Sequence, residues 1–325
     1  TRTLIIGTAG GEFTVSGGGT DSAITPTNIL IKKQSNHGAA NVDAIAVGNA
    51  TLFLQRAKRK IRELAYNFDV DGYLAPDMTI LAEHVTEGGI TQMAYQQEPN
   101  QIIYAVRGDG ELIGLTYQRE QQVTAWHRHV FGGVFGTGNA VCESVAVIPT
   151  DLDEYEVYVI IKRTINGATK RYIEVLNTFD FTTTDNTTFN FLDSQLSYSG
   201  SSTTTLSGLS HLEGQTVSIL ADGATHPDKT VSSGSITLDR AVTKAKVGLS
   251  YDSILQTMRL DAGSQNGTSQ AKTKRIFEIT IRLYESVGVE VGESLSNMER
   301  IPFRTSSDPM DQGIPPFTGD KAVEF

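Results

Sequence analysis

Apolar residues in this chain come in short runs bounded by glycine, asparagine, aspartate or basic turns. Four segments share one pattern, an apolar strand, a short turn and a second strand. They are TLIIGTAGGEFTVS (3–16), ATLFLQRAKRKIRELAY (50–66), QIIYAVRGDGELIGLTY (101–117) and EVYVIIKRTINGATKRYIEVL (156–176). Gly10-Gly11, Asp109-Gly110 and Asn166-Gly167 readily supply the positive φ of tight hairpins, and the second segment turns on a charged corner instead.

A further apolar strand precedes three of these hairpins: VDAIAVGN (42–49), ITQMAYQQ (90–97) and CESVAVIP (142–149), starting 48 and 52 residues apart. Extended stretches are expected at NILIKKQS (28–35), TILAEHV (79–85) and VTAWHRHV (123–130). Strand, hairpin, strand at a period near 50 is the plan of a β-propeller blade, and the runs are too short and β-branched for helical repeats. In VTAWHRHV, Val123, Ala125, His127 and His129 share one face, and Trp126 packs from the other.

The texture changes near residue 178. TFDFTTTDNTTFNFLDSQLSYSGSSTTTLSGL is rich in Thr, Ser and Asn, and QTVSILADGATHP, SGSITLDR and AVTKAKVGLSY follow as short strands with turns at Asp222-Gly223 and Ser233-Gly234. The predicted fold is all-β: propeller-like blades over 1–180, an inserted small β-sandwich or barrel at 185–260, and a return to the propeller-like body over 274–325. A polar linker, 262–274, marks the second boundary, and KRIFEITIRLYES (274–286) and GVEVG (288–292) resume the strands. The opening TRTLIIGTAGG and the closing GDKAVEF, a strand that looks cut off, suggest the core of a longer protein.

Composition narrows the function classes. The formal charge is −10, which argues against tight wrapping of nucleic acid and suits a surface that DNA passes without sticking. The single cysteine, Cys142, allows no internal disulfide and reads as a small buried residue. No apolar run reaches the roughly 20 residues that span a bilayer, so no membrane-spanning segment is expected.

Candidate chemistry is sparse. His127 and His129 face one way on a strand, but a metal needs a third ligand and no nearby Cys or Glu-x-x-His supplies it, so the pair reads as structural. NFDVDG (67–72) resembles half of a calcium loop, yet the twelfth position is Met78, so its carboxylates read as turn residues. GGVFGTGNA (132–140) lacks the third glycine, the helix and the lysine of a nucleotide loop. The carboxylates of DLDEYE (151–156) have no partner that would raise a pKa. No catalytic, cofactor or metal residue is assigned, and the chain reads as a non-enzyme without cofactors. RAKRKIR (56–62) is either a phosphate-contacting tip or a charged corner that blunts edge pairing.

The succession GTAGGEF, SNHGAANVDAIAVGNATLFLQRAKRKIRELAY, DGYLAPDMTILAEHVTEGGITQMAYQQEP, GELIGLTYQREQQVTAWHRH and LEGQTVSILADGATHPD, running on to PMDQGIPPFTGDKAVEF, resembles the tail nozzle (tail tubular protein B-like) proteins of short-tailed bacteriophages and prophages. The resemblance covers most of the chain. It implies a virion tail protein made in the host bacterial cytoplasm, with a propeller-like body and inserted β-domains. Its expected partners are further copies in a sixfold ring, the tail adaptor, tail fibres, and double-stranded DNA that passes without specific binding. Lys58, Arg59 and Lys60, with Phe131 and Phe135 of the 131–140 loop, are the expected channel or subunit-contact tips. The alternative is a propeller that binds host-surface glycan, with Tyr73, Tyr155 and Tyr198 stacking on sugars; a propeller hydrolase or lyase is weaker.

Overall fold

The computed structural model describes residues 3–19, 22–151, 154–178, 183, 185–258, 270–310 and 312–324. Most of the expected 262–274 linker, Leu152 and Asp153 of the acidic turn, and the 179–182 start of the Thr-rich stretch lie outside them. The chain divides into two compact units, 1–178 and 179–325. Both are built from antiparallel strands, and the only helical turns among the described residues are two short 3₁₀ segments, Asn186–Thr188 and Ser210–Leu212.

The first unit is a series of small meanders. Strands β1 (Leu4–Thr8), β2 (Gly11–Ser16) and β3 (Leu30–Ser35) form one sheet. Next come β4 (Ile45–Val47), β5 (Ala50–Leu54), β6 (Ile61–Asn67) and β7 (Gly72–Leu74), then β8 (Ile90–Gln96), β9 (Ile102–Arg107), β10 (Leu112–Gln118) and β11 (Val123–His129), each set in chain order. After a small ribbon of β12 (Val134–Phe135) and β13 (Gly138–Asn139), strands β14 (Val141–Pro149), β15 (Tyr155–Ile165) and β16 (Ala168–Leu176) complete the unit.

Burial explains the sequence pattern of these sheets. One core joins Leu52, Leu54 and Ile61 of the second sheet to Ile103, Ala105, Ile113, Leu115 and Tyr117 of the third. Another joins Tyr104, Val106 and Leu112 of the third sheet to Cys142, Val145, Val157, Val159 and Ile161 of the fourth. Strands β9 and β10 are therefore covered on both faces, which is why IIYAVR and LIGL read as continuous apolar runs rather than alternating ones. Strand β15 is buried only at alternate positions, because the other face of its sheet is open. On that open face Ile148, Ile173 and Val175 are 49%, 73% and 46% exposed.

One expected strand is a turn instead. TILAEHV (79–85) does not form the outer edge of its sheet; Gly72–Leu74 takes that place as β7. Asp77 accepts from Thr79 N–H at 2.9 Å, and the N–H groups of Ala82 and Val85 bond back to Thr79 and Ala82 carbonyls. These local bonds spend the donors that a ladder would need, and the turn drops Ala82 and Val85 into the core.

In the second unit, β17 (Asp193–Ser207), β18 (Thr216–Ala221), β19 (Ala224–Thr230) and β20 (Ser235–Leu249) form one sheet in the order β17-β20-β18-β19. The segments SITLDR and AVTKAKVGL are one continuous strand of 15 residues rather than two. No ladder among the described residues closes into a barrel, and no second sheet completes a sandwich here. Register shifts at Ser199/Thr203 and Thr203/Thr205 let the long strands bend, so a single sheet wraps its own core of Leu206, Val217, Ile219, Val242 and Val247. The unit also holds the ribbons β21 (Glu278–Ser286) with β24 (Phe317–Glu324) and β22 (Glu290–Ser294) with β23 (Asn297–Arg300), around Leu283, Ile301, Phe303 and Val323. GDKAVEF lies largely within β24, which pairs along β21 from Phe317 to Glu324.

Candidate functional site

The inner hairpins of the first unit are tied to the sheet that follows by a recurring backbone hydrogen bond. Ala39 N–H donates to Thr8 O at 2.8 Å, Ile90 N–H to Lys58 O at 2.7 Å, and Cys142 N–H to Gly110 O at 2.8 Å. Donor and acceptor are 31, 32 and 32 residues apart, and the acceptors recur after 50 and 52 residues. Each hairpin tip is thereby pinned beside the entry of the next sheet.

The β5–β6 tip carries the basic cluster. Gln55 C=O accepts from Lys58 N–H at 2.7 Å and Lys58 adopts φ 62°, closing the turn without glycine. Lys60 is held by Asp77 and Glu83, each at 2.9 Å, and these partners, Glu83 first, raise its pKa. Burial pushes the Asp77 carboxyl up, but hydrogen bonds from Thr79 and Lys60 outweigh it and hold it below the usual range. Arg62 donates to Gln55 Oε1 at 2.9 Å and to Ala75 O at 2.7 Å. Among the described residues Lys58 and Arg59 have no ion-pair partner and stand exposed. The free charge of the cluster is thus narrower than the sequence implies.

The 131–140 loop is anchored from below. Phe131 is only 9% exposed and packs into the core with Tyr104 and Cys142, so it is not an open tip. Phe135 is half-buried under the Lys162 ammonium, 4.3 Å from its ring centre, and Gly136 N–H donates to Thr164 Oγ1 at 3.1 Å. Arg163, fully buried, donates to Gly132 O at 2.7 Å and grips Glu174 with two nitrogens. That anchor was readable in principle, since Arg163 follows Val157, Val159 and Ile161 at alternate positions on the buried face. The same rule applies to Glu63, between Ile61 and Ala65; it accepts from Tyr117 Oη at 2.6 Å and from Arg119 at 2.7 Å. The basic tip and the anchored loop lie on different sheets, and no described contact joins them.

The remaining candidates are occupied locally. Asn67 Oδ1 accepts from Asp69 and Val70 N–H, and Tyr66 Oη donates to Asp71, so the NFDVDG turn spends its polar groups on itself. Cys142 is buried, which pushes its thiol up to about 12. Tyr73 rests edge-on against Tyr66 and Tyr198 packs on its own core, donating to Ser201 O at 2.6 Å; both are half-buried, as is Tyr155. Trp126 packs toward the second sheet and donates to Met78 O at 2.9 Å, while His127 and His129 face the fourth. No helix among the described residues is long and apolar enough to cross a membrane.

No known family model matches this sequence, and no curated protein matches it either.

Proposed function

We propose that the chain is a structural component of a short-tailed phage tail, a nozzle-ring subunit that conducts DNA and performs no catalysis. The reading rests on the ordered likeness of its segments to nozzle proteins. The observation that best supports a repeated, propeller-like body is the inter-sheet hydrogen bond recurring at 50 and 52 residues. Meanders stacked face to face make a stiff frame, leaving hairpin tips and outer faces for neighbours. The exposed Ile148, Ile173 and Val175 suit a face that a neighbouring sheet or subunit covers. Ring contacts are heterologous, using two different patches per subunit. Lys58 and Arg59 are the tip charges left for a neighbour or the channel, and the net charge of −10 keeps passing DNA from being held.

Immunogold electron microscopy with antibody to this chain tests the position. Gold at the distal end of a short tail supports the nozzle reading. Gold on side fibres or on the host surface refutes it in favour of glycan binding.

A further inference from the structure

His127 and His129 point from β11 to one face of the β8–β11 sheet, opposite Gly114 and Leu112 across the ladder. That face also carries Tyr104, and Leu112 and Tyr104 belong to the core shared with the β14–β16 sheet. Both histidines are half-buried on the edge strand β11, and His129 lies beside Leu112 and Tyr104 of the core that the two sheets share. Their rings are 4.9 Å apart and nearly perpendicular, and the His129 ring is 5.7 Å from that of Tyr104. His129 Nε2 is buried with no hydrogen-bond partner among the described residues. The His127 ring lies directly over Gly114, where a Cβ would come within 2.6 Å of Cε1.

Among the described residues neither imidazole has an ion-pair partner, and the core beside them holds other titratable groups. From β9 comes Tyr104, pushed up to about 12 by burial, and from β14 comes Cys142, likewise about 12. From β15 comes Arg163, already cationic and committed to Glu174 of β16, where burial also raises Tyr172. Strand β8 presents Ala94 and the neutral Gln92 and Gln96, whose side chains bond Val145 O and Tyr155 O across the seam. Strand β10 presents only Leu112 and Gly114 to the imidazoles. Burial holds both histidines below the ordinary value, His129 at about 4, with His127 adding to the depression.

We propose that this imidazole pair is an acid-operated catch: proton uptake opens the seam between the β8–β11 and β14–β16 sheets. A charge on the His129 ring meets its neighbour, with no hydrogen-bond partner for Nε2 among the described residues, and separation of the sheets admits water to it. The sign follows from linkage. A histidine whose folded pKa is depressed binds its proton in the open state first, so closure is fully favoured above about 6.5 and weakens as pH falls toward 4. From those two values, His129 alone raises the opening equilibrium about thirty-fold between pH 8 and pH 5. Most carboxylates are still ionised at pH 5, which separates this effect from general acid unfolding.

Hydrogen exchange of the β10, β11, β14 and β15 amides at pH 8 and pH 5, corrected for intrinsic rates, reads the opening directly. The expected result is a rise of about thirty-fold or more in the full chain, cut to the His127 share in His129→Leu and His129→Gln. An equal rise in either variant, or none in the unaltered chain, overturns the proposal. Imidazole NMR titration of the unaltered protein gives an independent reading that needs no variant to fold. A His129 midpoint near 4 that tracks the loss of seam protection supports the catch, and a midpoint near 6.5 overturns it.

Discussion

Replacing Gly114 with alanine sets two physical effects against each other at one site. Gly114 lies in the regular ladder, paired with His127 on one side and Tyr104 on the other, in a strand where alanine restricts the unfolded chain. From that effect alone Gly114→Ala stabilises by about 0.5–1 kcal/mol. The structure opposes it, because the new methyl group would stand within 2.6 Å of His127 Cε1 and closer still to Nε2. The ring cannot shift freely, since His129 lies 4.9 Å away on the same face. Forced repacking of a filled core costs about 1–3 kcal/mol, so the expected net is a loss of about 1–2 kcal/mol. Trp126, the only tryptophan, sits on the opposite face of β11 and donates to Met78 O, so its fluorescence in urea follows this sheet. The decisive experiment is the double-mutant cycle with His127→Ala. Without the ring, alanine at 114 should become neutral or favourable, giving a coupling of about 2 kcal/mol. Gly114→Ala that is stable in the intact background, or equally costly in both, refutes the reasoning.

Other outcomes follow from the same structure. Tyr117→Phe removes the donor that satisfies buried Glu63 and should cost about 1–3 kcal/mol by Trp126 fluorescence; an unchanged urea midpoint would count against that hydrogen bond. Arg163→Met removes the cation that grips Glu174 and the donor to Gly132 O, with an expected loss of about 3–5 kcal/mol and new protease cleavage within 131–140; recovery on adding Glu174→Met would show that the half-buried carboxylate carries most of the cost. Asn166→Ala must hold φ 49° without an amide side chain and should lose about 1 kcal/mol, which a urea titration of the same sheet measures. Lys58→Glu with Arg59→Glu should leave the fold unaltered by circular dichroism, because neither residue has an ion-pair partner among the described residues, and should impair tail assembly or DNA ejection if this tip meets a neighbour or the channel.

The chain's own pattern determined the all-β character, most of the strands and several of the tight turns. Asn166-Gly167, Asp222-Gly223 and Ser233-Gly234 all adopt the positive φ that their residue types favour, and the 48- and 52-residue spacing reappears as a hydrogen bond recurring at 50 and 52. These features are local, so backbone preference and alternation suffice to read them. Which stretch became a sheet edge was a tertiary outcome. TILAEHV has strand propensity, but Asp77 caps a turn there and the neighbouring core has room for Ala82 and Val85. The candidate tips divided in the same way. Exposed Lys58 and Arg59 were legible as a charged hairpin corner, whereas the pairing of Lys60 with Asp77 and Glu83 and the burial of Phe131 depend on residues distant in sequence. The histidine pair shows the reason most plainly. Alternation alone put His127 and His129 on one face, but only tertiary packing beside Tyr104 buried His129 Nε2 and left it with no hydrogen-bond partner among the described residues.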